Sequence, residues 1–383
     1  MTPVTSSAPV ASRVASRRKF MANSAVALVG TALPAINFAQ SASMAERQFS
    51  PKPGAWRTFE VTTRVDIAKP QGATRLWLPI PSVNSDWQKS LESSYQTNGT
   101  ARMEDDNTYG ARMLYVEFAA DQAKPFVELT SRIQTQNRAQ DWSQKSAPAE
   151  DAASLKYWTQ PTSLLPTDGI VRTTALEATR GAKTDVEKAQ KLFDWIVTNT
   201  YREPKVRGCG EGDIKTMLET NNLGGKCADL NALFVGLCRS VGIPARDVYG
   251  LRVAPSAFGY RELGGNSASL KGAQHCRAEV YLKGHGWVGM DPADVAKVMR
   301  QETPEWIKTA KNPLVAPVNK GLFGGWEGNW MAYNVAHDVA LPQSTSPKLG
   351  FFMYPAAETA AGRLDSYAPD DFKYQISAKE IAA

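Results

Sequence analysis

The stretch G-G-K-C-A-D-L, residues 224–230, decides how this chain is read. Two glycines bring the backbone to Cys227. Beyond it, Leu230, Leu233, Phe234, Leu237 and Cys238 recur at helical spacing. Gly242, Ile243 and Pro244 close that helix: glycine past the end, then an apolar residue, then proline. Cys227 therefore falls in the first turn. There the unpaired N–H groups and the positive end of the helix dipole favour a thiolate over a thiol. A thiolate in that place is a nucleophile in need of a base.

Only three histidines are available: His275, His285 and His337. His275 opens Q-H-C-R-A-E-V-Y-L, residues 274–282. Cys276, Ala278, Val280 and Leu282 form one face of it, and His275, Arg277, Glu279 and Tyr281 the other, the period of a strand. A Gly-containing turn, residues 283–286, leads into W-V-G-M-D-P, residues 287–292, the return strand that ends at Asp291. A carboxylate there can fix the tautomer of the imidazole. A four-residue hairpin would put Asp291 on the face opposite His275, so a bulge or another loop length must correct the register. Another carboxylate could also orient the histidine. Asp229 caps or charges the helix start.

These blocks, G-G-K-C-A-D, L-C-R-S-V-G-I-P-A-R, H-C-R-A-E-V-Y-L and G-W-V-G-M-D-P, resemble the transglutaminase-like domain family, part of the papain-like cysteine hydrolase superfamily. The resemblance covers residues 170–300. It implies Cys227 as nucleophile, His275 as general base and acid, and Asp291 as orienting carboxylate. The chain departs from the family at Arg277, where many members carry an aromatic residue two positions after the histidine.

The remaining cysteines read as structural. Cys238 lies on the apolar face of the Cys227 helix, and Cys276 points to the core side of its strand, away from His275. Cys209 sits in R-G-C-G-E-G-D with no named partner. None is expected to pair, although Cys209 with Cys276 is conceivable in an oxidising compartment. No C-x-x-C and no H-x-x-x-H occurs, so neither a metal nor a cofactor is expected.

At the amino terminus, S-R-R-K-F-M, residues 16–21, precedes a mild apolar stretch from Ala22 to Ala39. This reads as a twin-arginine signal peptide over residues 1–45, hence a periplasmic protein that touches the membrane only through that leader. The four positive charges of the leader, taken from the chain's +6, leave +2. Nucleic acid is therefore excluded as a partner, since no basic patch with interleaved aromatics remains.

Roughly 340 residues follow, more than one typical domain. Alternating Phe59, Val61, Val65 and Ile67, L-W-L-P-I-P cut by Pro79, M-L-Y-V-E-F and F-V-E-L-T suggest a small β-sandwich over 50–135. Residues 136–155 read as a linker and 156–310 as the catalytic domain. That domain opens with a helix after the capping box Thr184…Glu187, and residues 245–253 form a strand. The Gly/Ser-rich run 254–273 leads into His275 and reads as a wall or lid of the cleft. Residues 311–383, with Trp326, Trp330 and Tyr333, read as an extension packing on the catalytic domain. Within it, L-G-F-F-M-Y-P, residues 349–355, and F-K-Y-Q-I-S, residues 372–377, read as strands that finish a sheet.

The expected fold class is α+β: a papain-like, transglutaminase-like core behind a β-sandwich. The expected activity is attack on an amide carbonyl of a peptide or protein, cell-envelope material included, through a thioester. Water as acceptor would make it a peptidase or amidase, and an amine an acyltransferase. The opposed reading is a binding module that keeps the fold without catalysis.

Overall fold

Alternation of apolar and polar side chains builds the first strand, Arg57–Asp66, whose odd-numbered positions from Phe59 to Val65 are buried. The computed structural model describes residues 47–67 and 72–382, so the leader read at 1–45 lies outside the described residues. Arg57–Asp66 pairs antiparallel with Phe126–Thr135, which pairs on its other edge with Gln88–Thr97. A second sheet sets Thr74–Ile80 against Arg112–Phe118 and then Thr100–Asp105. Leu76, Leu78, Leu114 and Val116 enter the same core as Phe59, Val61 and Val65. The opposite face of that sheet, Trp77, Met113 and Tyr115, packs with Phe352 and Val339. Pro79 does not cut its strand. The neighbouring strand Ala356–Thr359 reaches only to Trp77, so one side of Pro79 needs no ladder bond.

The domain boundaries expected from local pattern do not describe this arrangement. Tyr374–Ile381 adds an edge strand to Arg57–Asp66, and Ala356–Thr359 joins Thr74–Ile80. Trp330–Asn334 joins a third sheet beside Ala245–Arg252. Residues 311–383 are thus woven through both halves rather than laid on one. The segment 136–155 is no free linker either. Arg138–Ala139 pairs with Gly325–Trp326, and the buried Arg138 side chain meets Glu279 and the carbonyl of Trp287. Long-range pairing of this kind has no signature in local periodicity. Glu46–Ala383 form one compact unit.

The third sheet runs Gly286–Met290, Gln274–Leu282, Ala245–Arg252, Trp330–Asn334. The helix Cys227–Ser240 packs on it, and every residue of that helix is buried. Its end is a Schellman motif: Ile243 N–H donates to Cys238 O (3.0 Å) and Gly242 N–H to Arg239 O (3.0 Å). Gly242 has φ +83°, the left-handed conformation that motif requires. The helix Asp185–Asn199 starts at the Thr184–Glu187 capping box and buries Leu192, Phe193 and Ile196 against the Cys227 helix. The run 254–273 is irregular apart from a short turn at Arg261–Leu263. Leu270 N–H donates to Ile376 O and Ala378 N–H to Ser267 O, both 2.8 Å, which pins this run to the last strand as a fixed wall.

Candidate active site

Cys227 is the first residue of its helix, and the preceding glycines explain how it gets there. Gly224–Gly225 pairs in parallel with Tyr201–Arg202, and a Cβ on Gly225 would lie 2.6 Å from the Asp229 Cβ. Asp229 is a cap. Its carboxylate accepts the N–H groups of Lys226, Glu211 and Gly212, each at 2.9 Å. The last two bonds fasten the Cys209 loop to the helix start, and Cys209 O takes the N–H of Ala228 at 2.9 Å. The N–H of Cys227, first in the helix, has no acceptor within it and is placed to bind an oxyanion.

His275 stands on the central strand. Its Nε2 is 2.7 Å from Asp291 Oδ2 and 3.3 Å from Asp294 Oδ2. The register question raised by the sequence has a definite answer. Leu282 pairs with Gly286, so the loop has three residues rather than four, with Gly284 at φ +83° in its middle. Met290 opposes Ala278, so Asp291 continues the return strand opposite Arg277, on the face that carries His275. Asp291 then caps the helix Pro292–Gln301, accepting Asp294 N–H at 3.1 Å.

Around this pair the charges are buried and matched. Arg252 Nη2 meets Asp294 Oδ1 at 2.5 Å, and Arg277 Nε lies 3.5 Å from Asp291 Oδ2. Arg277 fills the position at which many members of the resembled family carry an aromatic residue. Its guanidinium stacks on Trp330 (4.5 Å) and Trp326 (5.1 Å). Trp326, Trp330 and Tyr333 are all buried, and Trp330 Nε1 donates to His275 O at 3.0 Å. Burial favours protonation of Asp294, yet Arg252 and His275 beside it hold its carboxyl well below the usual range. Burial and the negative charge of Asp294 push Asp291 up. Burial and Arg252 push His275 down, but the two carboxylates outweigh them and raise it to about 9. Burial opposes a thiolate at Cys227. The thiols of Cys209 and Cys276 and the imidazole of His275 overcome that and bring it well below the ordinary thiol value. The two groups titrate as a pair, and the lowered thiol and raised imidazole both favour thiolate and imidazolium.

Cys209 and Cys276 belong to this sulfur cluster. Cys209 Sγ donates to Gln274 O at 3.2 Å and accepts from Tyr354 Oη at 3.1 Å. The Cys276 thiol also lowers the Cys227 pKa, and its sulfur lies buried in the core, 3.9 Å from Met353 Sδ. All four cysteines are free and buried. His275, Asp291 and Asp294 place ligand atoms within 4.8 Å of one another. Arg252 and Arg277 already face those carboxylates, so a dication there would meet two guanidiniums.

Cys227, His275 and Cys209 line one cleft of about 280 Å³, closed by Tyr354, Tyr367 and the 264–274 wall. Asp294, Asn231 and Arg252 were not singled out from the sequence. Signals for two of them existed: Asp294 lies three residues after Asp291 at a helix start, and Asn231 one turn after Cys227.

The pattern of the Transglutaminase-like superfamily matches residues 172–292, which hold the helix, both hairpin strands and Asp291. A protein of Haemophilus influenzae with no assigned function is 34% identical over 343 residues, covering 84% of this chain and 91% of its own. The structure resembles that of a candidate cysteine protease from Cytophaga hutchinsonii, with TM-score 0.53, 14% identity, and coverage of 87% of this chain and 93% of the other. At that identity the likeness speaks for the fold alone. Fold, block order and sequence pattern agree: the chain belongs to the transglutaminase-like superfamily.

Proposed function

We propose that this protein is an exported thiol enzyme that attacks an amide carbonyl through Cys227, His275 and Asp291. The observation that carries the reading is the His275 Nε2–Asp291 Oδ2 contact of 2.7 Å at the cleft that also holds the helix-start Cys227. With Nε2 engaged, Nδ1 is the nitrogen left to serve the sulfur. The Cys227 thiolate bonds to the carbonyl carbon, and the carbonyl electron pair moves onto oxygen, towards the Cys227 N–H. Collapse expels the amine, which takes its proton from His275, and leaves a thioester. Water or a second amine then attacks the thioester, His275 takes the incoming proton, and the thiolate departs. A peptidase, amidase or acyltransferase follows according to which acceptor reaches the thioester first. The twin-arginine pattern at Arg17 and Arg18 supports a periplasmic location. Among the described residues no helix is long and apolar enough to cross a membrane.

The test is incubation with casein and monodansylcadaverine. Mass spectrometry reads new peptide termini (water as acceptor), and fluorescence reads amine incorporation. Cys227→Ala and His275→Ala should each abolish whichever product the wild type makes, and the double variant should be little worse than either. Growth of a deletion strain restored to wild-type level by Cys227→Ala would reject catalysis in favour of a binding module.

A further inference from the structure

Besides His275, the cleft around Cys227 is lined by five lysine and arginine side chains, Arg202, Lys226, Arg252, Lys271 and Lys297, and by no carboxylate. Three of the five have partners. Arg252 is committed to Asp294, Lys297 lies 3.3 Å from Glu262 Oε2, and Lys271 meets Asp370 at the exposed rim. Arg202 and Lys226 have no ion-pair partner among the described residues. Arg202 spends one N–H on a neutral group, Gln301 Oε1, at 3.0 Å. Lys226 immediately precedes the nucleophile, and its side chain is half-buried.

The two do not sit side by side by accident of the surface. Arg202 and Gly225 are paired in the short parallel ladder that delivers the chain to Cys227, so the backbone holds both cations at the cleft. Burial and the Arg202 charge lower the Lys226 pKa, and the neighbouring Cys209, Cys227 and Asp229, which raise it, do not outweigh them. The like-charge pair is thus only partly compensated. Two cations confined in this way gain from an anion that enters the cleft.

We infer that Arg202 and Lys226 form an anion subsite that selects acyl donors carrying a carboxylate close to the scissile amide. This rests on the reading of Cys227 as the nucleophile. A carboxylate bound there would hold the adjacent amide carbonyl at the helix start, where the Cys227 sulfur and N–H converge, so the charge would serve positioning as well as selection. The carboxylate could be that of an acidic side chain or of a chain terminus. The two differ in reach and are separable by experiment.

The experiment compares two alkylating probes of similar size, iodoacetate and iodoacetamide, on the full mature chain, with the modified cysteine identified by mass spectrometry. In the wild type the ratio of iodoacetate to iodoacetamide rates at Cys227 should be high and should fall in 0.5 M sodium chloride. The Arg202→Gln/Lys226→Gln double variant should lower that ratio by about tenfold, the size expected when two cations are removed from an anion's cleft. The iodoacetamide rate should stay close to wild type, which also shows that the site remains folded. Two N-acetylated dipeptides then serve as protectors against iodoacetamide: one with a glutamate side chain and an amidated end, the other with a free carboxyl end alone. Protection by either, lost in the double variant, supports the subsite and says which carboxylate it takes. An unchanged ratio in the double variant, or no protection by either peptide, overturns the inference. Failure of Cys227 to label with the neutral probe would instead sink the nucleophile assignment, and the two outcomes cannot be confused.

Discussion

The side-chain amide of Asn231 donates to Asp291 Oδ1 at 3.2 Å from a position one turn beyond Cys227 on the same helix. The same amide donates to Cys276 O at 2.8 Å, and its oxygen accepts Ala293 N–H at 3.3 Å. One buried residue therefore ties the helix of Cys227 to the strand of His275 and to the helix capped by Asp291. Asn231→Ala would strand those groups in the interior, at a cost of about 1–3 kcal/mol of stability. It should also lower kcat by about tenfold or more by loosening Asp291, while alkylation of Cys227 survives. Thermal melts and single-turnover kinetics check the two effects separately, and an unchanged kcat would count against a positioning role.

Two carboxylates approach His275 Nε2, and they differ in role. Asp291 is the nearer, at 2.7 Å, while Asp294 lies at 3.3 Å with Arg252 bound to its other oxygen. Asp291→Asn should cost turnover about 10- to 100-fold, less than loss of His275, because Asp294 still faces the ring. The Asp291→Asn/Asp294→Asn double variant should approach His275→Ala. A double variant no worse than Asp291→Asn would show that Asp294 serves only the Arg252 pair.

Much of this site was legible because its parts are local. A glycine pair, a helix start and a Schellman ending mark Cys227 within a single stretch, and strand alternation marks His275. The register of Asp291 was not legible, because it depends on whether the hairpin turns in three residues or four, and the run 283–286 fits both. Asn231, Asp294 and Arg252 were hidden for a different reason. Each is an ordinary polar residue in sequence and gains meaning only when a helix, a strand and a loop converge. The same holds for the end of the chain: the strand suspected at 349–355 pairs nearby, Leu349–Phe351 with His337–Val339, but the partner of the strand suspected at 372–377, some 300 residues away, had no local signal.

Export can be tested without reference to chemistry. Replacing Arg17 and Arg18 with Lys should leave the precursor in the cytoplasm if the twin-arginine reading holds. Fractionation with antibody detection reads the result, and undiminished periplasmic protein in the double variant would point to another route.

Asp247 offers a stability measurement away from the chemistry. It is buried in the strand Ala245–Arg252, and neither carboxylate oxygen has a hydrogen-bond partner among the described residues. Burial raises its pKa to about 7, against about 3.9 in an unfolded chain. The folded state thus binds more protons between those values, and its stability declines as pH rises through them. Asp247→Asn removes that dependence. The variant should gain in Tm relative to wild type at pH 8 compared with the difference at pH 5. An equal difference at both values would mean that Asp247 is ionised throughout.

The pH dependence of the thiol decides whether Cys227 and His275 act as an ion pair. Burial favours the neutral thiol, and the neighbouring thiols and imidazole reverse that preference. His275, raised to about 9, stays protonated across neutral pH. Both directions favour thiolate and imidazolium up to about pH 9, where the imidazolium loses its proton. Iodoacetamide alkylation of Cys227 should already be fast at pH 7 and change little up to about pH 8.5. In His275→Ala burial loses its charged opponent, so the midpoint should move up towards or beyond the free thiol value of about 8.5. Asp291→Asn should move it part of the way, because the imidazolium it supports becomes easier to deprotonate. Rates are read at each pH by intact-mass spectrometry with the alkylated cysteine mapped by digestion. If wild type and His275→Ala share one midpoint, the helix start alone activates the sulfur, and His275 has no part in preparing the nucleophile.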